Sequence, residues 1–528
     1  MNSHFQTKTN PTRNRKTSMK TNLINSTSSS RIILTATIAA LLTTHSAFAA
    51  NATWNGTTDA VWATGTNWST TPVPGSGDTA TFNNAGGGNT SIDIGAGGVT
   101  LQNLLFDTAS AAAYTIGSGA QTLTLNNAGA ITMNSTVASA ELINAGLILG
   151  TDGTTQTFTL TNQSTTAGLT FAGDIFGSSG ADTKTLAVAG AGNTDISGNI
   201  NDGGAGSMVS LTKTGTGTLT LAPFGSNNYS GPTTINGGIL SIGRYALGSG
   251  NLNIAGGTLR SDAPYIELFT QNIAIGTGGA TFEVNGPDEL ILYFASITGG
   301  TGNALTKTGT GTLTLGALTN TYQGPTIIKG GSLLLAGNLY DTARVEVQSG
   351  ATLGGYGTIQ PTGDIELLAG GKLSPGGGQY ADGTLTVFFG TGQFDISLGV
   401  AATASHALLF DLGTPGGLHA SDQVGVFGGA LDIGTGGLAF DDFVFTALSG
   451  FGAGTYTLFE GNYSIVGSFD SNAAHLTGSI GGYLGTLGFA DSGRDVVLTV
   501  TPEPGTLALL LSTTALLGFR RRRSVTGV

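Results

Sequence analysis

Three histidines lie beyond residue 50: His406, His419 and His475. Imidazole titrates near neutrality and is a common metal ligand, but none of the three stands at a metal-ligand spacing from another. No nucleophile elbow surrounds a serine, and the chain has no cysteine, which removes thiolate chemistry. Two adjacent carboxylate pairs occur, Asp288-Glu289 and Asp441-Asp442. Glycosidic cleavage needs two carboxyl groups about 5–10 Å apart across a cleft. Neighbours on a strand point to opposite faces, so neither pair serves alone. Calcium in Asp/Asn-rich turns is a further option, but the Gly-Gly-x-Gly-x-Asp repeat is absent. The remaining chemistry-bearing group is aromatic. Trp54, Trp62 and Trp68 are the chain's three tryptophans and fall within one short stretch. Their faces could stack on sugar rings, or they could seal the start of a core. These residues predict no catalytic site, no metal and no cofactor.

The elements that would carry these residues are strands. Of 528 residues, 88 are Gly and only 9% are charged, against 39% hydrophobic. Gly is poor in helices and the charged helix formers are scarce, while the low charge argues against a disordered chain. The sequence repeats. The run from Leu211 to Leu221, Leu-Thr-Lys-Thr-Gly-Thr-Gly-Thr-Leu-Thr-Leu, recurs identically from Leu305 to Leu315, 94 residues later. Each copy leads into a second shared block, containing Tyr229, Gly231, Thr233 and Gly237-Gly238 in one case and Tyr322, Gly324, Thr326 and Gly330-Gly331 in the other. Thr218 to Leu221 alternates with a period of two, as a half-buried strand requires. Lys213 sits among Gly and Thr and is expected to face solvent. The Gly-Gly pairs supply corners that can take positive φ, and the recurring tyrosines are expected to pack. Strand, corner, strand at short intervals describes one coil of a β-solenoid.

These blocks resemble the autotransporter-associated β-strand repeat. The segment around Trp54, Trp62, Asn67 and Trp68, followed by Gly77-Asp78-Thr79-Ala80, is similar to the opening of such proteins. Gly350 to Gly355 and Leu373-Ser374-Pro375-Gly376 are similar to their closing coils. The resemblance implies an all-β, right-handed parallel β-helix of the autotransporter-passenger kind. The chain departs from a full autotransporter in having a Pro-Glu-Pro tail where a translocating barrel would need many amphipathic strands. The expected organisation is a Trp-rich cap over 50–84, a solenoid over 85–390, and a β-rich cap or small β-sandwich over 391–500. The solenoid holds the repeats at 211–240 and 305–334. At roughly 20–25 residues per coil it would have about 12–15 coils.

The two ends read as sorting segments. Residues 1–49 carry no acidic residue, and the apolar stretch from Ile32 to Leu42 leads to Ala47-Phe48-Ala49 before Ala50. This predicts a signal peptide cleaved at Ala47, Ala49 and Ala50 by signal peptidase, with Met1 or Met19 as the start. The far end places Pro502-Glu503-Pro504 before an apolar run from Thr506 to Phe519, then Arg520, Arg521, Arg522 and Arg523. This run predicts a short hydrophobic helix, the chain's only membrane contact before processing. The arginines would hold their side in the cytoplasm. The arrangement resembles the PEP-CTERM sorting signal of Gram-negative bacteria. That resemblance implies recognition by an exosortase-type protease and a link to exopolysaccharide.

Without these ends, 9 basic residues face 31 acidic ones. The resulting net charge near −22 repels nucleic acid. The function expected is that of an exported structural or adhesive protein at the cell surface or in the extracellular matrix, associated with exopolysaccharide and without enzymatic activity. The enzymatic alternative is a β-helical polysaccharide lyase or hydrolase. A third is a carbohydrate-binding surface protein using the tryptophans.

Overall fold

The computed structural model describes residues 51–204, 206–268, 271–293, 295–376, 383–401, 405–415 and 421–503. The signal-peptide residues Ala47, Ala49 and Ala50, His419, Pro504, the C-terminal hydrophobic segment and Arg520 to Arg523 lie outside the described residues. Among the described residues there are many short strands, a few 3-10 turns and no α-helix. No helix there is long and apolar enough to cross a membrane.

The strands stack as an all-β parallel solenoid of the right-handed type, with about 14 coils. A middle coil shows the plan. Ile273–Ile275 lies on a first face, Ala280–Val284 on a second and Glu289–Leu292 on a third. The chain then returns to the first face at Ile297–Gly299, parallel to Ile273–Ile275. Alternation does the rest. In Thr218–Leu221 the two leucines are fully buried and the threonines face outward, as expected for a β-branched residue on a pleated surface. Register then stacks like on like: Leu219 pairs with Leu240, Leu240 with Leu259, and Leu259 with Phe282. Each such leucine contributes about 1.5–3 kcal/mol on burial.

Coil length varies. Thr218 pairs with Ile239, Ile239 with Thr258 and Thr258 with Thr281, steps of 21, 19 and 23 residues. Near the C-terminal end Thr384 pairs with Gln423 and Val424 with Phe459, steps of 39 and 35. The expected solenoid boundary near residue 390 therefore needs correction. Leu408–Leu412 still pairs parallel with Phe443–Ala447, and Gln423–Asp432 parallel with Gly454–Val466. Longer turns hide this periodicity in the sequence, but the ladder continues. Among the described residues the antiparallel strands come last: Thr477–Ile480, Tyr483–Ala490 and Asp495–Pro502 form a meander closing on Gly454–Val466. It covers an edge that would otherwise offer unpaired backbone groups.

Candidate functional site

The tryptophans form a plug. Trp54, Trp62 and Trp68 are buried, with at most 5% exposure. Trp68 meets Trp62 edge-on at 4.6 Å and Trp54 at 5.1 Å between ring centroids. Phe82 and Tyr114 extend the cluster inward, 4.8 Å apart. Each indole N–H is satisfied: Trp54 donates to the Asn89 carbonyl, Trp62 to Pro74 and Trp68 to Trp62. Asn67 ties the loop, accepting from the Thr58 and Asp59 amides and donating to the Asp59 carboxylate and the Val61 carbonyl. The carbohydrate-stacking role considered for Trp54, Trp62 and Trp68 is corrected by this geometry. Their faces are spent on one another, and none is open to a sugar. The physical reason is the cost of leaving an open first coil, which large aromatic surfaces offset.

Glu289 accepts from the Thr314 hydroxyl at 2.9 Å and so serves the next coil. Asp442 is buried, accepting from the Ala439 amide at 2.8 Å and the Ser405 hydroxyl at 2.7 Å. Burial pushes its carboxyl above the usual range. His406 is exposed. His475 Nδ1 lies 2.8 Å from the Asp470 carboxylate, which raises the imidazole, and its Nε2 faces the Asn472 amide at 3.1 Å. Asp441, Asp442, Asp470 and His475 share a hollow of about 170 Å³. The Ser405 hydroxyl is held by Asp442 and the His475 ring by Asp470, so serine and imidazole are engaged in separate pairs. Among the described residues no group of three or more His, Asp or Glu is arranged to hold a metal.

Pro502 ends the strand Asp495–Pro502, and Glu503 accepts from the Ser479 hydroxyl at 2.9 Å.

The repeat motif is where the residues say most. Lys213 does not face solvent, contrary to expectation; it and Lys307 are at most 2% exposed. The Lys213 ammonium donates to the Thr214, Gly215 and Gly237 carbonyls at 2.6, 3.1 and 3.4 Å. Lys307 repeats this on Thr308, Gly309 and Gly330 at 2.7, 3.1 and 3.2 Å. In each copy two acceptors are in the lysine's own corner and one is in the next coil. The Gly-Thr-Gly turn aims its carbonyls inward, and the ammonium neutralises them. Burial pushes both ammonium groups down, to about 8.

The Tyr-x-Gly-x-Thr block is equally mechanical. Tyr229 is fully buried and its hydroxyl pairs with Thr233 at 2.7 Å; Tyr322 pairs with Thr326 in the same way. A Cβ on Gly324 would lie 1.9 Å from the Asn303 carbonyl, so only glycine fits between coils. Gly238 and Gly331 take the positive φ expected of the corners, +63° and +61°. Sequence reasoning missed Asn227 and Asn320, which hold the adjoining turns from buried positions. The signal was present: each stands two residues before the recurring tyrosine.

Residues 211–242 and 305–335 match the family model described as Passenger-associated-transport-repeat. The chain is also 31% identical over 304 residues to the Adhesin BmaC autotransporter of Brucella suis biovar 1 (strain 1330), a match covering 54% of this chain. The match covers 8% of that relative's length. The chain is therefore similar to autotransporter passengers in its repeats.

Proposed function

We propose that this chain is an exported, surface-exposed adhesive protein whose β-solenoid presents its outer faces to other surfaces and which performs no catalysis. The observation that carries this reading is the similarity to an autotransporter adhesin over 54% of the chain, set on a parallel solenoid with two passenger-type repeats. The acidic, threonine-rich exterior supports it. We further propose delivery through the Pro502-Glu503-Pro504 segment by an exosortase-type protease, after signal peptidase has acted, and association with exopolysaccharide outside the cell. These finer points rest on the order of motif, apolar run and arginines in the sequence.

The test is protease shaving of intact native cells, with beads coated in the mature chain assayed for attachment to host cells or purified matrix. Digestion on intact cells and bead attachment are expected. A chain protected until the cells are lysed, or beads that attach no better than uncoated ones, overturns the reading. Replacing Pro502, Glu503 and Pro504 with alanine is expected to leave an unprocessed chain in the inner membrane. Unchanged mass and location would remove the sorting proposal and leave the adhesive one standing.

A further inference from the structure

The third face has a beginning. Tyr265–Leu268 is the end strand of an eight-stranded sheet and pairs with Glu289–Leu292. The coil before it has no strand at that place; residues 243–250 form turns and bends. A hollow of about 210 Å³ lies here, lined by residues 242–247, 265–268 and Gln271.

Its lining has a definite chemistry. The Arg244 Nε donates to the Tyr265 carbonyl at 3.1 Å, and the guanidinium lies 5.8 Å from the centre of the Tyr265 ring. The Tyr265 hydroxyl donates to Glu267 at 2.6 Å. Tyr245 is 67% exposed. Gln271 is only 8% exposed, and its Nε2 donates to the Gly248 carbonyl at 2.7 Å. That bond fixes which end of the amide is oxygen. The Oε1 that remains is buried and has no partner among the described residues. An orphaned buried acceptor carries a desolvation penalty.

We propose that this hollow binds one ring of a neutral saccharide. The Glu267 carboxylate asks for hydroxyl donors, and Arg244 answers hydroxyl oxygens. Tyr245, Tyr265 and Leu247 offer surface to ring C–H groups. Glu267 and the strongly acidic body disfavour an anion. The volume is below the roughly 300–1,000 Å³ of ordinary ligand pockets, which limits the occupant to a single ring. The inference deepens the adhesive reading and rests on it for its biological sense. The tryptophans take no part.

The test is saturation-transfer NMR on the mature full chain with methyl β-glucoside, methyl β-galactoside, methyl α-mannoside and N-acetylglucosamine, with galacturonate as the anionic control. Transfer to at least one neutral probe is expected. Tyr245→Ala and Glu267→Gln are each expected to weaken that probe at least tenfold. Tyr245 is exposed, so its loss is expected to leave the melting curve unchanged. The proposal is overturned if no neutral probe shows transfer, if both variants bind as the parent does, or if galacturonate binds as well as the best neutral probe. Bead attachment is measured on the same preparation. Attachment without saccharide transfer would sink this site alone; loss of attachment with transfer intact would sink the adhesive reading alone.

Discussion

Glu141 shows how much a single buried group can decide. It is 1% exposed; one carboxyl oxygen accepts from the Tyr114 amide at 2.8 Å and the other has no partner among the described residues. Burial pushes its pKa up to about 8, so the folded chain keeps this proton where the unfolded chain, near 4.5, has lost it. Between those values the folded state binds more protons, and stability falls as pH rises. Glu141→Gln keeps an acceptor for the Tyr114 amide and removes the titration. The variant is expected to lose that decline, gaining on the order of 2–4 kcal/mol over the parent at pH 8.5 relative to pH 5. Urea denaturation at the two pH values measures it. The tryptophan plug is a second residue-scale case. Trp68→Ala is expected to cost about 3–5 kcal/mol locally. Coils depend mainly on their neighbours, so amide exchange should quicken first in Ala52–Thr53 and Thr79–Phe82.

At the scale of the element, the repeat is a corner held by a cation. Lys213 and Lys307 each fasten one coil to the next through glycine carbonyls. Replacing either with methionine fills the same space and leaves three carbonyls unanswered. The expected loss is about 2–4 kcal/mol per site, read as a lower urea midpoint. Lys329→Met, at an exposed position, is the control and should stay within about 0.5 kcal/mol. Lys184 reaches the interior differently. It pairs with Asp182 at 2.8 Å, and Ser178 and Ser207 complete that carboxylate. Three of the nine basic residues outside the two ends are thus inside. Asp78, Glu141, Asp182, Asp422 and Asp442 are buried as well, so the exterior keeps the strongly acidic balance of the body.

For the molecule as a whole, the ends of the ladder matter most. The antiparallel meander at Thr477–Pro502 covers Gly454–Val466, and the aromatic plug covers the first coil. A chain ending at Val466 would present an open strand edge, the usual template for association. Such a truncation is expected to associate with rising concentration, seen by light scattering, while the full described body stays monodisperse. The third face opens midway, at Tyr265–Leu268. An edge interior to a solenoid is also where a hollow can form without weakening the stacked core.

The strand of alternating Thr and Leu, the Gly-Gly corner and the packing tyrosine were all readable from the sequence. Each depends on a period of two or on backbone freedom at one residue, and both are local. The parallel solenoid followed because the unit repeats and no helix interrupts it. The tertiary structure decided the rest. The first copy of the eleven-residue motif has Met208–Lys213 on the first face and Thr218–Leu221 on the second. The second copy has Leu305–Thr308 on the second face and Thr312–Leu315 on the third. Identical residues thus sit one face apart, because face is set by the summed lengths of all intervening turns. Lys213 was misjudged for a related reason: its acceptors include a carbonyl of the next coil, which no local pattern reports. The tryptophans suit a plug or a platform by type alone, and it is Phe82, packed against all three with Tyr114 behind it, that makes them a plug. Local periodicity determined which side chains point inward; only the stacking of distant coils decided what they meet there.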